Sequence, residues 1–95
     1  MKYLKKIEDN KLKRYIVTDN KSNMDLYEIV SEDKVIYKLK YLYNYNLEMN
    51  VLFKKDSEYI FIMMKDKIDI KFQSDSIEEC FEYMLIYPNS RKYNL

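Results

Sequence analysis

Apolar residues recur at every second position in several short segments of this chain, which is the spacing of half-buried β-strands. Residues 68–72 alternate apolar with charged side chains, residues 47–53 form a similar series, and residues 59–64 are apolar throughout, as in a central strand. Short polar turns separate the three segments. Together they predict an antiparallel meander over residues 47–73.

Two further strands are predicted nearer the N-terminus, where residues 12–17 pair with residues 3–7 across a polar turn. Residues 31–46 fit two interpretations. A strand would place tyrosine and leucine at alternate positions, whereas a helix would use Ser31 as its cap and the two acidic residues that follow in its first turn. The tyrosine-rich, β-branched composition of the segment favours the strand.

A C-terminal helix is predicted by a capping box, in which the Ser76 hydroxyl accepts from the Glu79 amide while the Glu79 carboxylate reaches back. Acidic residues lie largely on the other face of this helix. Pro88 is expected to end it, because an interior proline breaks a helix. The predicted helix therefore covers about residues 77–87. Its apolar face consists of Ile77, Cys80, Phe81, Met84 and Leu85.

These elements predict one domain over residues 1–95. Its class is α+β: a small antiparallel β-meander sheet of about five or six strands, with one C-terminal α-helix packed on one face. The chain has no glycine, so asparagine and aspartate must form its turns. These two residue types tolerate left-handed backbone angles better than other side chains do.

The composition removes most catalytic chemistry. Histidine is absent and Cys80 is the single cysteine, so the chain cannot build a Cys–His pair, a serine triad or a structural zinc site. The lack of glycine excludes a phosphate-cradling loop and a dinucleotide-binding fingerprint. We therefore expect no catalytic residues, no metal site and no cofactor, and we expect Cys80 to be a small buried apolar residue.

The N-terminal residues do not build the apolar stretch of a signal peptide, and no uncharged apolar run approaches the length of a membrane-spanning helix. A single cysteine fits a reducing compartment. Six residue types with A/T-rich codons supply 54 of the 95 residues, which suggests an AT-rich bacterium, or one of its phages or mobile elements. The expected location is the bacterial host cytoplasm, with no membrane partner.

The chain holds 11 tyrosines, more than a core of this size can absorb, and four of them lie close together with lysines between them. Tyrosine is enriched at protein interfaces because it offers a large contact area at a small cost in rotamer entropy. Its ring can also stack on unpaired bases while lysines meet phosphates. The competing interpretation places these tyrosines in the core and in a half-buried sheet. The candidate partner-binding residues are Tyr37, Lys38, Lys40, Tyr41, Tyr43 and Tyr45, and the second candidate surface is the acidic helix face of Glu78, Glu79 and Glu82.

The predicted function is that of a small non-enzymatic protein-binding inhibitor or adaptor. It would be encoded by a phage or mobile element and would block a host defence machine by occlusion, as an anti-CRISPR or other anti-defence protein does. The expected partner is a host protein, such as a nuclease or ribonucleoprotein of a defence system. The alternatives are a single-stranded nucleic-acid-binding module that uses the tyrosine and lysine surface, and an immunity partner of a toxin.

Overall fold

Six antiparallel strands and one C-terminal helix form the architecture of the part of the chain that the structure describes. The computed structural model describes residues 14–56 and 58–93, with side chains as far as residue 86. The elements are β1 Arg14–Asp19, β2 Asn23–Glu32, β3 Ile36–Asn46, β4 Val51–Lys54, β5 Ile60–Met64, a 3-10 turn at Lys65–Lys67, β6 Ile70–Ser74 and α1 Ile77–Tyr93. The predicted α+β class with an antiparallel sheet is confirmed. The strand interpretation of residues 31–46 is confirmed for residues 36–46, whereas residues 31–32 end β2 and residues 33–35 connect it to β3. The strand predicted over residues 3–7 lies outside the described residues.

The strand order is β4-β3-β2-β1-β6, and β5 also pairs with β3. The outer edge of β3 is therefore shared: its C-terminal half pairs with β4 and its N-terminal half with β5. The connection after β5 then carries the chain to the other side of the sheet, where β6 pairs with β1. The meander predicted over residues 47–73 is wrong, because the apolar alternation specifies which residues face a core but not which strands are neighbours.

Register shifts turn the side chains of three strands from one face of the sheet to the other. In β2, Val30 is the extra residue between the partners of Leu39 and Lys38. In β3, Tyr41 pairs with Tyr27 but Tyr43 pairs with Leu26, so Leu42 is an extra residue in the ladder. In β6, Lys71 is the extra residue between two consecutive positions of β1. Such a bulge reverses the alternation of faces beyond it. The sheet consequently buries apolar side chains on both faces.

The face that carries α1, called the helix side, holds the larger core. Cys80 and Met84 are fully buried there against a group from three strands: Tyr15, Val17, Met24, Leu26 and Tyr45. Phe81 meets the Tyr43 ring edge-on, with centroids 5.0 Å apart. The far side of the sheet holds a second core of Ile16, Tyr27, Ile29 and Leu39, packed against residues that include Met63, Ile68 and Ile70. The segment that connects β5 to β6 thus covers part of the far side, as α1 covers the helix side.

The start of α1 agrees with the prediction, whereas its end does not. The Ser76 hydroxyl accepts from the Glu79 amide at 3.3 Å. The reciprocal bond runs through a relay: the Ser76 amide donates to the Ser74 hydroxyl at 2.9 Å, and that hydroxyl donates to the Glu79 carboxylate at 2.6 Å. The predicted end at Pro88 is wrong, since α1 continues to Tyr93. A proline lacks one backbone N–H and its ring crowds the carbonyl four residues earlier, which can kink a helix without ending it.

Asparagine and aspartate close the tight turns through one repeated arrangement. In the β1–β2 turn the Asn20 side-chain oxygen accepts from the amides two and three residues ahead, at 3.1 and 3.0 Å. Asp33 does the same between β2 and β3, and Asn46 between β3 and β4. Asn50, in the β3–β4 turn, has a positive φ of 57°. Residues 47–50 had been predicted as strand, and they form this turn instead.

We expect Met84→Ala to lower the free energy of unfolding by about 2–5 kcal/mol, because the side chain is fully buried between α1 and the sheet and its loss leaves a cavity. Ile86→Ala is the control on the same helix. That side chain is 62% exposed, so its truncation should change stability by no more than about 0.5 kcal/mol. Urea denaturation measures both, and equal losses would contradict this packing of the helix.

The helix cap gives a second test by the same method. Ser76→Ala should cost about 0.5–2 kcal/mol through loss of the bond to the Glu79 amide. Ser74→Ala should cost about 0.5–1.5 kcal/mol, because it removes the relay to Glu79. Since both serines serve one helical turn, the double variant should lose less than the sum of the single losses. Strict additivity would show that the two hydroxyls act independently.

Candidate functional site

Exposed apolar side chains are concentrated on one border of the sheet. Thirteen large apolar residues are exposed within the described part of the chain, and nine of them lie between residues 49 and 64. They are Met49, Val51, Leu52, Phe53, Tyr59, Ile60, Phe61, Ile62 and Met64. Residues 59–64 had been predicted as a central strand, and that prediction is wrong: β5 pairs with β3 on one side and with no described strand on the other.

The backbone of β5 presents its free hydrogen-bonding groups at alternate residues. The Lys65 amide donates to the Val35 carbonyl at 2.8 Å, which fixes the phase of the ladder between β3 and β5. In an antiparallel ladder, directly bonded pairs alternate with pairs whose N–H and C=O groups point away from each other. Residues 61 and 63 therefore bond to β3, while Ile60, Ile62 and Met64 direct their backbone groups outwards.

The side chains of the same three residues are exposed on the helix side of the sheet. Ile60, Ile62 and Met64 lie opposite Lys40, Lys38 and Ile36 of β3. Their side chains are 44%, 64% and 46% exposed. The core under α1 contains no residue of β5, so the helix does not cover them. We call these three residues, with their outward backbone groups, the β5 edge.

Two lysines border the β5 edge on the helix side. Lys38 is exposed and Lys40 is half-buried. Among the described residues, no carboxylate lies within ion-pair distance of either ammonium group. The exposed surface is therefore apolar at the strand, with the Lys38 ammonium beside it, while Lys40 lies opposite Glu28 in the ladder between β2 and β3.

The structure does not bring the four candidate tyrosines together on one surface. Tyr37 and Tyr41 pack against the core of the far side. Tyr43 and Tyr45 belong to the core under α1, where Tyr45 is 6% exposed. The extra residue Leu42 causes this division, because it reverses the faces between positions 41 and 43. The alternation in the sequence gives no sign of the bulge, and for this reason it predicted all four tyrosines on one face of the strand.

Tyr41 is held in place by contacts around its ring and at its hydroxyl. The ring stacks on Tyr27 with centroids 5.0 Å apart, and the Lys55 ammonium lies 5.6 Å from its centroid. Its hydroxyl donates to Asp25, which also accepts from the Asn44 side-chain amide at 2.8 Å. Burial raises the pKa of Tyr27 to about 12, helped by the Asp25 charge, and burial and the bond to Asp25 raise the pKa of Tyr41 further. These contacts occupy the ring and hydroxyl that an unpaired base would use.

A charge cluster fastens the C-terminal end of β5 to β2. The Glu32 carboxylate accepts from Lys65 at 2.7 Å and also from Arg14. Both bonds lower the pKa of Glu32, and the bond to Lys65 contributes most. The Lys65 ammonium also lies 4.8 Å from the centroid of the Tyr37 ring. This cluster holds the end of β5 against the sheet.

The second candidate surface is tied to the helix cap. Glu79 accepts from Ser74 and Glu78 accepts from Ser76 at 3.2 Å, while Glu82 is exposed one turn later. Carboxylates in the first turn of a helix are also favoured by its dipole. The sequence had identified this acidic face, and its first two members have a structural role in the cap.

The described residues offer few reactive groups. Cys80 is fully buried, and burial, with the nearby Glu79 charge second, raises the pKa of its thiol to about 11. The thiolate is the nucleophilic form, so this environment opposes reactivity. No group of three or more histidine, cysteine or carboxylate side chains is placed to hold a metal within residues 14–56 and 58–86. In the same part of the chain, no helix is long and apolar enough to cross a membrane.

Comparison of the chain with protein-family models, with curated proteins and with solved structures finds no match. Function therefore has to be inferred from the residues themselves. The β5 edge was missed as a site by sequence reasoning. Its signal was present, since a run of five residues without charge or proline is typical of a strand that is covered on both faces.

The raised pKa of Tyr27 has a consequence for stability. The folded state holds this proton more tightly than the unfolded state, so the stabilisation is complete below the ordinary tyrosine pKa of 10.0 and is lost as pH rises towards about 12. The wild-type chain should lose stability between about pH 8 and about pH 11. In Tyr27→Phe this loss should be smaller by roughly 1 kcal/mol. Urea denaturation at both pH values measures it. Tyr59→Phe, at a 64% exposed position, is the control and should leave the loss unchanged.

Proposed function

We propose that this chain is a non-catalytic protein-binding protein, and that the β5 edge is the centre of its contact with the partner. The observation that carries the proposal is the concentration of nine exposed large apolar residues between residues 49 and 64. Contiguous apolar surface on a soluble protein marks an interaction site, whereas scattered single residues do not. An exposed apolar edge strand is in addition a liability that folded proteins normally protect.

Binding by occlusion is the mechanism that these features support. The apolar side chains of the β5 edge supply contact area, and Lys38 borders it with positive charge. Such an arrangement of an apolar centre and a charged rim is typical of protein interfaces. The surface performs no chemistry, and binding alone would block whatever site of the partner it covers.

The biological setting that we propose is inhibition of a host defence machine, such as a nuclease or ribonucleoprotein, by a protein of a phage or mobile element. The support for this setting is the A/T-rich codon bias, the small domain and the absence of histidine and glycine. An immunity partner of a toxin would act through the same physical mechanism. The geometry of the β5 edge serves either role.

Single-stranded nucleic acid is less well supported as the partner. Stacking would require tyrosine rings and lysines on one surface. Tyr37 and Tyr41 pack on the far side, whereas Lys38 and Lys40 border the β5 edge on the helix side. The Tyr41 ring is also already in contact with Tyr27 and Lys55.

Substitution of Ile62 by glutamate tests the proposal, because it places a charge in the centre of the β5 edge. We expect Ile62→Glu to abolish capture of protein partners from nuclease-treated lysate of an AT-rich bacterial host. Ile86→Glu is the matched control: Ile86 is 62% exposed against 64% for Ile62, and it lies on α1. The control should retain the partners that the wild-type chain captures, and both variants should unfold within about 1 kcal/mol of wild type.

Three results would overturn the proposal. The first is capture that is unchanged by Ile62→Glu. The second is capture that is lost only with Ile86→Glu, which would move the interface to the helix. The third is loss of all captured protein on nuclease treatment of the wild-type complex, which would make nucleic acid the direct partner.

A further inference from the structure

We infer that the partner binds the β5 edge as an added β-strand: an extended protein segment with apolar side chains at alternate positions and an acidic residue directed towards Lys38. The inference rests on the proposed function and specifies its binding mode. It places the affinity in main-chain hydrogen bonds and the specificity in the side chains that alternate along β5.

The spacing of free backbone groups fits an extended peptide. Ile60, Ile62 and Met64 direct N–H and C=O groups outwards at every second residue, which is the period of the main-chain groups of another strand. On the inner side, β3 already bonds to the backbone N–H and C=O groups of residues 61 and 63. Addition of a strand would therefore satisfy the remaining groups of β5 without any change in the fold.

The β5 edge lacks the devices that keep edge strands unpaired. Natural edges carry lysine, proline or inward-pointing charge. The strand at the opposite border, β6, follows this rule, because Lys71 and Gln73 interrupt its apolar residues. All five residues of β5 are apolar: Ile60, Phe61, Ile62, Met63 and Met64. An unprotected edge is explained if a partner strand normally covers it.

The ends of β5 limit the length of the site. Before β5, residues 55–56 and 58–59 lie outside the strands, and the Asp56 carboxylate accepts from the Glu58 amide. After β5, the chain enters the 3-10 turn that begins at Lys65. The added strand would thus pair over about five residues, since a strand ladder requires extended backbone on both sides.

Charge supports a partner of different sequence over a second copy of this chain. Lys38 is exposed beside the helix-side side chains of β5 and has no described carboxylate within ion-pair distance, whereas Lys40 lies opposite Glu28 in the ladder between β2 and β3. Antiparallel pairing of two β5 strands would place only apolar residues opposite each other and would bring no acidic residue to Lys38. An acidic residue in a foreign segment would complement this lysine.

Amide hydrogen exchange in the free chain tests whether the edge is open. We expect the amides of Phe61 and Met63 to be protected by β3, and those of Ile60, Ile62 and Met64 to exchange rapidly, as measured by nuclear magnetic resonance. Protection of Ile62 that rises with protein concentration would identify a second copy as the occupant. Protection that is independent of concentration would mean that the chain itself covers the edge. Either result would overturn the inference.

Two substitutions at one position separate main-chain from side-chain recognition. Ile62→Pro removes an outward N–H while leaving the bonds to β3, and proline is tolerated at an edge in this orientation. Ile62→Thr keeps the N–H and a β-branched side chain but removes apolar area. The probe is a displayed library of random octapeptides, selected on the wild-type chain. We expect the selected peptides to alternate apolar residues and to contain aspartate or glutamate.

Affinity of those peptides for the two variants decides the binding mode. Strand addition predicts a loss of roughly tenfold or more for Ile62→Pro and a loss of less than about threefold for Ile62→Thr. Equal losses would overturn strand addition while leaving the β5 edge as a side-chain contact, so the proposed function would survive. Absence of any selected peptide would also overturn the inference. If Ile62→Pro does not fold, Met64→Pro and the exchange measurement supply the same test.

Discussion

The sheet depends on β3, because this strand of 11 residues forms ladders with three others. Its inner edge is fully used by β2, and its outer edge is long enough for two short strands in succession. One extra residue, Leu42, lies where β4 and β5 divide that edge, and the Lys55 amide bonds to its carbonyl at 2.9 Å. The bulge thus turns the side chains to the other face where the pairing passes from β5 to β4. The position of this bulge decides which β3 side chains enter each core and where along β3 the pairing with β5 ends.

The lack of glycine places a second constraint on the same topology. Each hairpin must reverse direction with side chains present, and asparagine or aspartate supplies an internal acceptor for the amides ahead of it. These turns need no other part of the chain, so they were predictable from local sequence at Asn20 and Asp33. The turn at 47–50 was not, because Leu47 and Met49 continue an apolar alternation that resembles a strand.

Local signals accounted for the helix start, for most strands and for the fold class. The Ser76 cap was predictable because its partners are three residues away or fewer. The faces of Tyr41 and Tyr43 were not, because a bulge at Leu42 is specified by packing against β2 and by both cores. Likewise, an uncharged run shows that a strand avoids water, but its neighbours are set by residues far away in the chain. Pairing is the non-local part of the problem, and the candidate site lies within it.

The error made for β5 has a physical meaning of its own. An apolar strand without charge is the pattern of a strand with neighbours on both sides, yet β5 has one described neighbour, β3. Sequence patterns reflect the environment in which a chain functions, and for an interface strand that environment includes the partner. On the binding mode inferred above, the β5 edge has the composition of a central strand because a partner segment completes its pairing. A pattern that disagrees with the isolated fold can therefore locate the surface that the fold leaves to be completed.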